Sequence, residues 1–523
     1  MYIFYDLETA GLDSEFGQIL QVGLVITDDD LNIVEEKSLR CRRQPWVVPS
    51  PEALLITGIT PEQLEDEETT LFEMIREVEG LMRSYDWPIT TAGYNSMNFD
   101  ERGLRSAFHQ TLLDPSLTFQ CEDENTPRNK RVDVMRLVQT CLVYDPDALV
   151  TEQKTRQKTP HPAISLGVIA RQNGIEFSEE EAHEAVADVK ATIEVAKIIR
   201  DKSPKIWAQM LEMSTEEGVR GFLDQHDAVS YSMGYAGNMK HFTVAPVAVN
   251  ANYDKQQILF DLTHDPANYL DKSVAELTEM LKKKTGKKDK DQPNPFSKAL
   301  IQKQPIFMPL DQTAESLYPD GISEAMLQKR GALIKDNLEF QAKVAQAAAL
   351  AEEEIPVQDF IEKQLYIDLS DDIEEKLGQW CEEFHSGNWQ QRSDLIQAFP
   401  LRFVEELKEE PTLGRFPEFG KRIILDNAPE EFSSAQERYE FKSMVYARMT
   451  DPDAPAKMMT LPRARVAIEK IRQDIADGKS KFLSAGEEHK LDALSAYYDQ
   501  LEEKYAPQPS RHIQRKPPSG PGR

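Results

Sequence analysis

The sequence predicts an α/β multidomain chain, and three observations predict it. Strand and helix patterns intermix from the N-terminus to Lys202, where the string DKSP breaks them. From Pro204 to Glu354 the β-rich runs FTVAPVAVNANY, QQILFDLTHD and QPIFMPLD dominate, with helical stretches before and after them. From Ile355 to Tyr505 the pattern is helical, rich in Glu, Lys, Gln and Ala, with Trp380, Phe384, Trp389, Phe399 and Phe403 at spacings that suit packed helices. Four segments are therefore expected: residues 1–203, 204–354, 355–505 and a tail, 506–523. The length of 523 residues agrees, at roughly 150 residues per domain as a soft guide.

Charge and composition narrow the function classes. The chain carries 61 basic and 90 acidic side chains, a formal charge of −29. Such a polyanion cannot hold nucleic acid through its average field, because phosphate binding depends on cations that displace counterions. Any DNA or RNA partner must meet local basic patches or bound metal ions. Hydrophobic residues make up 40%, enough for large cores and against wholesale disorder. Cys41, Cys121, Cys141 and Cys381 lie far apart with no CxxC, which argues against a disulfide framework or a structural zinc site and for a reducing compartment. The start, MYIFYDLETAGLD, lacks the basic and apolar stretches of a secretion signal, and no apolar run is long enough to cross a bilayer. A cytoplasmic protein with no membrane partner is the expectation.

In chain order, residues 2–8 alternate and then turn acidic (YIFYDLE), which reads as a strand with two carboxylates at its C-terminal end. Residues 19–27 (ILQVGLVIT) read as its hairpin partner, with Gly11, Asp13 and Gly17 supplying the turn. Thr60, Pro61 and Gln63 supply an N-cap, a first-turn proline and an N3 glutamine, so a helix starts at Thr60. AGYNSMNFDERGL reads as a short apolar strand, a polar turn and Asp100 at the start of a helix. His183 and Asp188 are five positions apart, about 140° on one helix, so His183 belongs to the preceding loop and Asp188 to the first turns of the helix. Between residues 204 and 354 a compact, largely β barrel with helical additions is expected, ending in the Ala-rich helical segment from Phe340 to Glu354. Within it, Lys282, Lys283, Lys284, Lys287, Lys288 and Lys290 form a dense lysine loop. The final stretch, PQPSRHIQRKPPSGPGR, reads as a disordered basic tail.

The chemistry is carried by acids placed where acids are costly. Asp6 and Glu8 lie two apart on a strand, so both side chains leave the same face, and like charges held together there need a cation. Carboxylate oxygens suit Mg²⁺ or Mn²⁺ rather than zinc. Asp6 and Glu8, then Asp100, then His183 and Asp188 resemble, in residue type and order, the DEDDh superfamily of 3′ to 5′ exonucleases. YDLETAG, ALLITGITPEQ, YNSMNFDE, RVDVMR and ARQNGIE followed by AHEAVADVKATIEVAK resemble bacterial exonuclease I more particularly, over roughly residues 1–450.

That resemblance implies an RNase H-like mixed-sheet exonuclease domain, then an SH3-like β-barrel domain, then a helical C-terminal domain. It implies an enzyme that degrades single-stranded DNA from the 3′ end to 5′-mononucleotides, in repair and recombination. Asp6, Glu8, Asp100 and Asp188 would hold two Mg²⁺ ions, with Mn²⁺ able to substitute, and His183 would act as the base. Glu8 would also contact the terminal sugar. Leu55, Ile56 and Thr57 sit where related enzymes wedge against the last base, and Tyr94 and Asn95 are candidates to line the nucleotide pocket. Arg128, Lys130, Arg131 and Arg136 form a cationic cluster suited to phosphates, with Arg128 its substrate-binding candidate. Ser165 stands where the compared family member has an arginine, so a weaker hydroxyl contact is expected there. Partners implied are single-stranded DNA and the acidic C-terminal tail of single-stranded DNA-binding protein, with the chain itself a monomer in a bacterial cytoplasm. Two alternatives remain open at this level: an RNA or oligonucleotide 3′-exonuclease with the same residues, and a non-catalytic single-strand-binding scaffold.

Overall fold

A computed structural model of the chain describes residues 1–121, 126–156, 159–177, 184–235, 238–283, 294–352, 360–363, 369–483 and 486–507. It opens with strands β1 (Tyr2–Thr9), β2 (Ile19–Thr27) and β3 (Ile33–Arg40), then helices α1 (Pro51–Thr57), α2 (Pro61–Asp66) and α3 (Leu71–Arg83). The expected capping box forms at α2: Thr60 accepts from the Gln63 backbone while the Gln63 side chain accepts from the Thr60 N–H. Strand β4 (Thr90–Gly93), α4 (Asp100–Gln110), β5 (Lys130–Asp133) and α5 (Val134–Tyr144) follow. A small antiparallel pair, β6 (Gln153–Arg156) and β7 (Thr159–Pro162), was not expected from the sequence. Helices α6 (Leu166–Gln172) and α7 (Ala185–Lys202) complete this segment.

The first sheet runs β3-β2-β1-β4-β5. It is mixed: β2 and β3 are antiparallel, whereas β1, β4 and β5 are parallel, paired Phe4 to Ala92 and Gly93 to Asp133. Three parallel strands therefore end together, and the crevice outside such ends is where ligands bind in α/β sheets. Tyr2 and Phe4 on one face of β1 join Val25, Ala92 and Val132 in a core with Leu137, Val138, Val189 and Ile193 from α5 and α7. Strand alternation then carries Asp6 and Glu8 to that same face, just beyond the apolar packing.

Helices α8 (Pro204–Glu212) and α9 (Glu216–Gln225) lead to a second sheet, built from β8 (Val229–Tyr235), β9 (Asn238–Asn250), β10 (Tyr253–Asp261), β11 (Phe296–Leu300) and β12 (Ile306–Pro309). The order is β11-β10-β9-β8-β12, antiparallel throughout. This sheet is consistent with the expected SH3-like region and its helical additions; among the described residues the two edge strands do not pair with each other. Helices α10 (Val274–Lys282), α11 (Glu324–Lys335) and α12 (Leu338–Leu350) cover one face instead, packing Leu277, Leu327, Ile334, Phe340 and Val344 against Ile258 and Phe260. Lys282 and Lys283 are described, but Lys284, Lys287, Lys288 and Lys290 of the lysine loop lie outside the described residues, as does the tail beyond residue 507.

Two compact units emerge: residues 1–8, 19–40 and 73–366, and residues 9–18, 41–72 and 367–523. This grouping is by proximity of backbone and cuts across the four sequential segments read above. The second unit is helical, as expected from residue 355 on, and its aromatic centre holds Trp380, Phe384, Phe399 and Phe403, all buried. Arg43 is its polar knot: Nε donates to Glu65 at 3.2 Å and to the Tyr497 hydroxyl at 3.0 Å, while Nη1 donates to the Gln44, Pro45 and Val47 carbonyls. Its long-range partners supply the hydrogen bonds that a buried guanidinium requires. The four cysteines are free thiols, and no helix among the described residues is long and apolar enough to cross a membrane.

Candidate active site

Three of the five predicted catalytic residues meet. Ligand oxygens of Asp6, Glu8 and Asp188 all lie within 4.8 Å of one another. Asp6 and Glu8 arrive on β1, and Asp188 arrives from the first turn of α7. Gly23 makes that approach possible, because a Cβ there would lie 2.5 Å from the Ala185 carbonyl carbon and 2.7 Å from the Val186 nitrogen. The helix is seated by Glu184, whose Oε2 accepts from the Ala187 N–H at 3.0 Å and whose Oε1 accepts from Gln21 at 3.0 Å.

Asp100 comes from α4. It begins that helix, as the sequence reading expected, and its Oδ1 accepts the Leu7 N–H at 3.2 Å. Gly103 one turn later leaves room for the Leu7 side chain, 3.4 Å from where its Cβ would stand. His183 lies outside the described residues.

The electrostatics are those of a cluster of mutually repelling acids. Burial pushes the Asp6 carboxyl well above the carboxylate range, and Asp100, Glu8, Asp188 and Glu184 push it further. Burial, then Asp188, Asp100 and Glu184, raise Glu8 to about 8. Asp100 is pushed up to about 7, chiefly by burial, with Asp133 and Asp188 adding to it and the Leu7 N–H opposing. The largest charge effects on Asp6 and Glu8 among the described residues all come from carboxylates. A set of oxygen donors only, converging and mutually repelling, fits a hard divalent cation: its charge removes the penalty that burial and repulsion impose.

Two acids here were missed from sequence. Glu184 adds to the negative field as the N-cap of α7, and its place directly before a helical pattern was the available signal. Asp133 ends β5, is fully buried and caps α5 by accepting from the Met135 N–H at 3.1 Å. It also accepts from the Asn95 N–H at 2.8 Å. RVDVMR was noticed as a segment, but nothing in it marks one aspartate as part of the acid cluster.

The expected substrate contacts divide. Asn95 sits at the strand end with a left-handed backbone, φ +60°. Tyr94 donates to the Ile164 carbonyl at 2.5 Å and packs against the first core, so the structure uses it as a core residue. Arg128 is exposed, 3.7 Å from Glu217. Ser165 is exposed and caps α6 without a side-chain bond. Leu55, Ile56 and Thr57 end α1 in the second unit, with Ile56 43% exposed. Arg131 departs from its expected phosphate role: it is buried, donates to Glu101 at 2.5 Å and to the Gln302 carbonyl at 2.7 Å, and covers the Phe119 ring.

A mixed sheet with a carboxylate cluster at its parallel strand ends fits a divalent-cation site, and the Exonuclease family model matches residues 3–196. The Exonuclease I SH3-like domain matches residues 226–349. Exodeoxyribonuclease I of Haemophilus influenzae is 28% identical over 379 residues, covering 70% of this chain and 76% of that protein. Exodeoxyribonuclease I of Escherichia coli is 26% identical, covering 70% and 75%. Among solved structures, the moderately thermophilic exonuclease I of Methylocaldum szegediense superposes with a TM-score of 0.75 at 23% identity, covering 96% of this chain and 99% of that one. E. coli exonuclease I in complex with a dA16 oligonucleotide gives 0.73 at 20%, with the same coverage. Over most of its length this chain is similar to bacterial exonuclease I.

Proposed function

We propose that this chain removes 5′-mononucleotides one at a time from the 3′ end of single-stranded DNA, by divalent-cation-dependent hydrolysis, in repair and recombination. The observation that carries the reading is the convergence of Asp6, Glu8 and Asp188 within 4.8 Å at the ends of the parallel strands. Asp100, which acts electrostatically on Asp6 and Glu8, completes the set. These four carboxylates would hold two Mg²⁺ ions, or Mn²⁺ in their place, which would supply Lewis acidity toward the scissile phosphate.

The chain's own residues do the rest. Asp6 and Glu8 are fixed by the strand and Asp188 by the α7 packing at Gly23, so the donors are organised before substrate arrives. Glu8 also receives the 3′-terminal sugar. His183 takes a proton from the attacking water; an ordinary imidazole titrates near neutrality and suits that task. Ile56, exposed at the end of α1, offers apolar contact to the last base, and Asn95 offers a polar one. Such contacts are sequence-tolerant, as a general degrader requires. Exposed Arg128, and Ser165 through its hydroxyl, track the phosphates.

A solved E. coli exonuclease I complex with a dA16 oligonucleotide and a solved ExoI/SSB-Ct complex support two partners here: single-stranded DNA and the acidic tail of single-stranded DNA-binding protein. The sequential segments 1–203, 204–354 and 355–505 are the modules of this reading, acting as a cytoplasmic monomer. Digestion of 5′-labelled single-stranded DNA and RNA of one sequence, with and without Mg²⁺, tests it. Mg²⁺-dependent shortening of DNA from the 3′ end, with RNA resistant, is expected. Preference for RNA favours the oligonucleotide-exonuclease alternative, and digestion of neither favours the scaffold.

A further inference from the structure

The SH3-like region reaches into the nuclease core through one short segment. After β11 comes a single 3₁₀ turn, Ile301–Lys303, and then Gln304, which is 1% exposed with a left-handed backbone, φ +44°. A non-glycine residue persists in that conformation only where its surroundings over-determine it. Gln304 is so held: Oε1 accepts the Asp133 N–H at 2.8 Å and Nε2 donates to the Met210 carbonyl at 2.9 Å. Beside it, Lys303 Nζ donates to the Met97 carbonyl at 2.6 Å.

These bonds fall on the turn that delivers Asp100. The turn folds on itself, with the Asn98 N–H on the Asn95 carbonyl at 3.1 Å and the Glu101 N–H on the Ser96 carbonyl at 2.9 Å. One side of it is held by Asp133, which accepts from the Asn95 N–H at 2.8 Å. The other side is held by Lys303, at the carbonyl of the buried Met97. Asp133 is in turn fixed through its own N–H by Gln304. Lys303 and Gln304 thus brace both the turn and its anchor.

We propose that Lys303 and Gln304 are positioning residues of the nuclease site: the SH3-like region fixes the 94–99 turn, and through it the Asp100 carboxylate, in the arrangement that closes the metal site. This rests on the reading of Asp100 given above. The competing role for Lys303, a direct phosphate contact, is disfavoured because its ammonium is partly buried and committed to a carbonyl.

The test uses the full chain with Lys303→Met, which keeps the stem and removes the donor, and Lys303→Arg, which restores one. Steady-state digestion of an oligothymidylate and Mn²⁺ binding by electron paramagnetic resonance without DNA are measured for each. For Lys303→Met a fall in kcat of about tenfold is expected, the scale of a small misplacement at a reacting centre. KM should be nearly unchanged and Mn²⁺ affinity several-fold weaker, with the melting temperature held and Lys303→Arg recovering most of the loss. Unchanged kcat and Mn²⁺ affinity in Lys303→Met overturn the proposal. So does a rise in KM alone with a shallower salt dependence, which marks a phosphate contact. Asp6→Asn serves as the separate control: if it digests normally, the metal-site reading itself fails, whatever Lys303 does.

Discussion

The backbone N–H of Leu7 donates to the Asp100 carboxylate at 3.2 Å. Leu7 is the residue between Asp6 and Glu8, so this bond ties α4 to β1 between the two strand carboxylates. It also means that Asp100 has two tasks, accepting a hydrogen bond and carrying charge, and they can be separated. Asp100→Asn retains an acceptor and removes the charge. We expect digestion to fall on the order of a thousandfold, since several kcal/mol of charge stabilisation is at stake and each ~1.4 kcal/mol is a factor of ten. The metal-free variant should melt higher than the wild type, because a buried like charge has gone. Calorimetry in EDTA beside an activity assay checks both.

The raised carboxyls set a pH dependence of stability. The folded, metal-free protein holds protons that the unfolded chain releases, so its stability contribution is present below the ordinary carboxylate range and is lost as pH rises through the folded values. With Glu8 at about 8 and Asp100 at about 7, the melting temperature in EDTA should fall between about pH 5 and pH 8. Mg²⁺ should raise it more at pH 8 than at pH 5, because cation binding needs the ionised acids. Asp100→Asn should flatten the slope. Scanning calorimetry at several pH values, with and without Mg²⁺, reads all three.

Gly23→Ala places a methyl carbon 2.5 Å from the Ala185 carbonyl carbon, so α7 must move off β2. Overpacking of this kind costs about 1–3 kcal/mol. The displacement carries Asp188 away from Asp6 and Glu8, so activity should fall further than the loss of stability explains. Comparing digestion at a temperature where the variant is fully folded separates the two effects.

Arg131 is internal, not a phosphate contact. Arg131→Met leaves Glu101 buried without its partner, and breaking such a pair costs about 3–5 kcal/mol. Urea denaturation should show this loss, and Glu101→Gln in the same chain should return part of it. The salt dependence of oligonucleotide binding should stay as in the wild type, because no DNA phosphate contact has been removed.

What could be read from sequence was whatever local chemistry dictates. The capping box at Thr60, Asp100 at a helix start and Asp188 on the first turn of α7 all follow from short-range rules, and the structure has each. The packed aromatics Trp380, Phe384, Phe399 and Phe403 were likewise visible in helical spacing. Long-range partners were not. Arg131 looks like its neighbours Arg128 and Lys130 until Glu101 and the Gln302 carbonyl close around it. Tyr94 reads as a pocket aromatic until Ile164 takes its hydroxyl. The way helices 324–335 and 338–350 cover the face of the second sheet is likewise not revealed by any strand pattern. Asp133 and Gln304 become meaningful only once β5 and the segment after β11 are seen together.

The most direct test counts nucleotides released from a 5′-labelled single-stranded oligonucleotide during a Mg²⁺ titration of the wild type, Asp6→Asn, Glu8→Gln and Asp188→Asn, each shown to be folded. Stepwise shortening from the 3′ end that needs Mg²⁺ and collapses in all three variants is the predicted result. Digestion that proceeds in EDTA, or that survives any one of these substitutions at the wild-type rate, would contradict the carboxylate cluster as the catalytic centre.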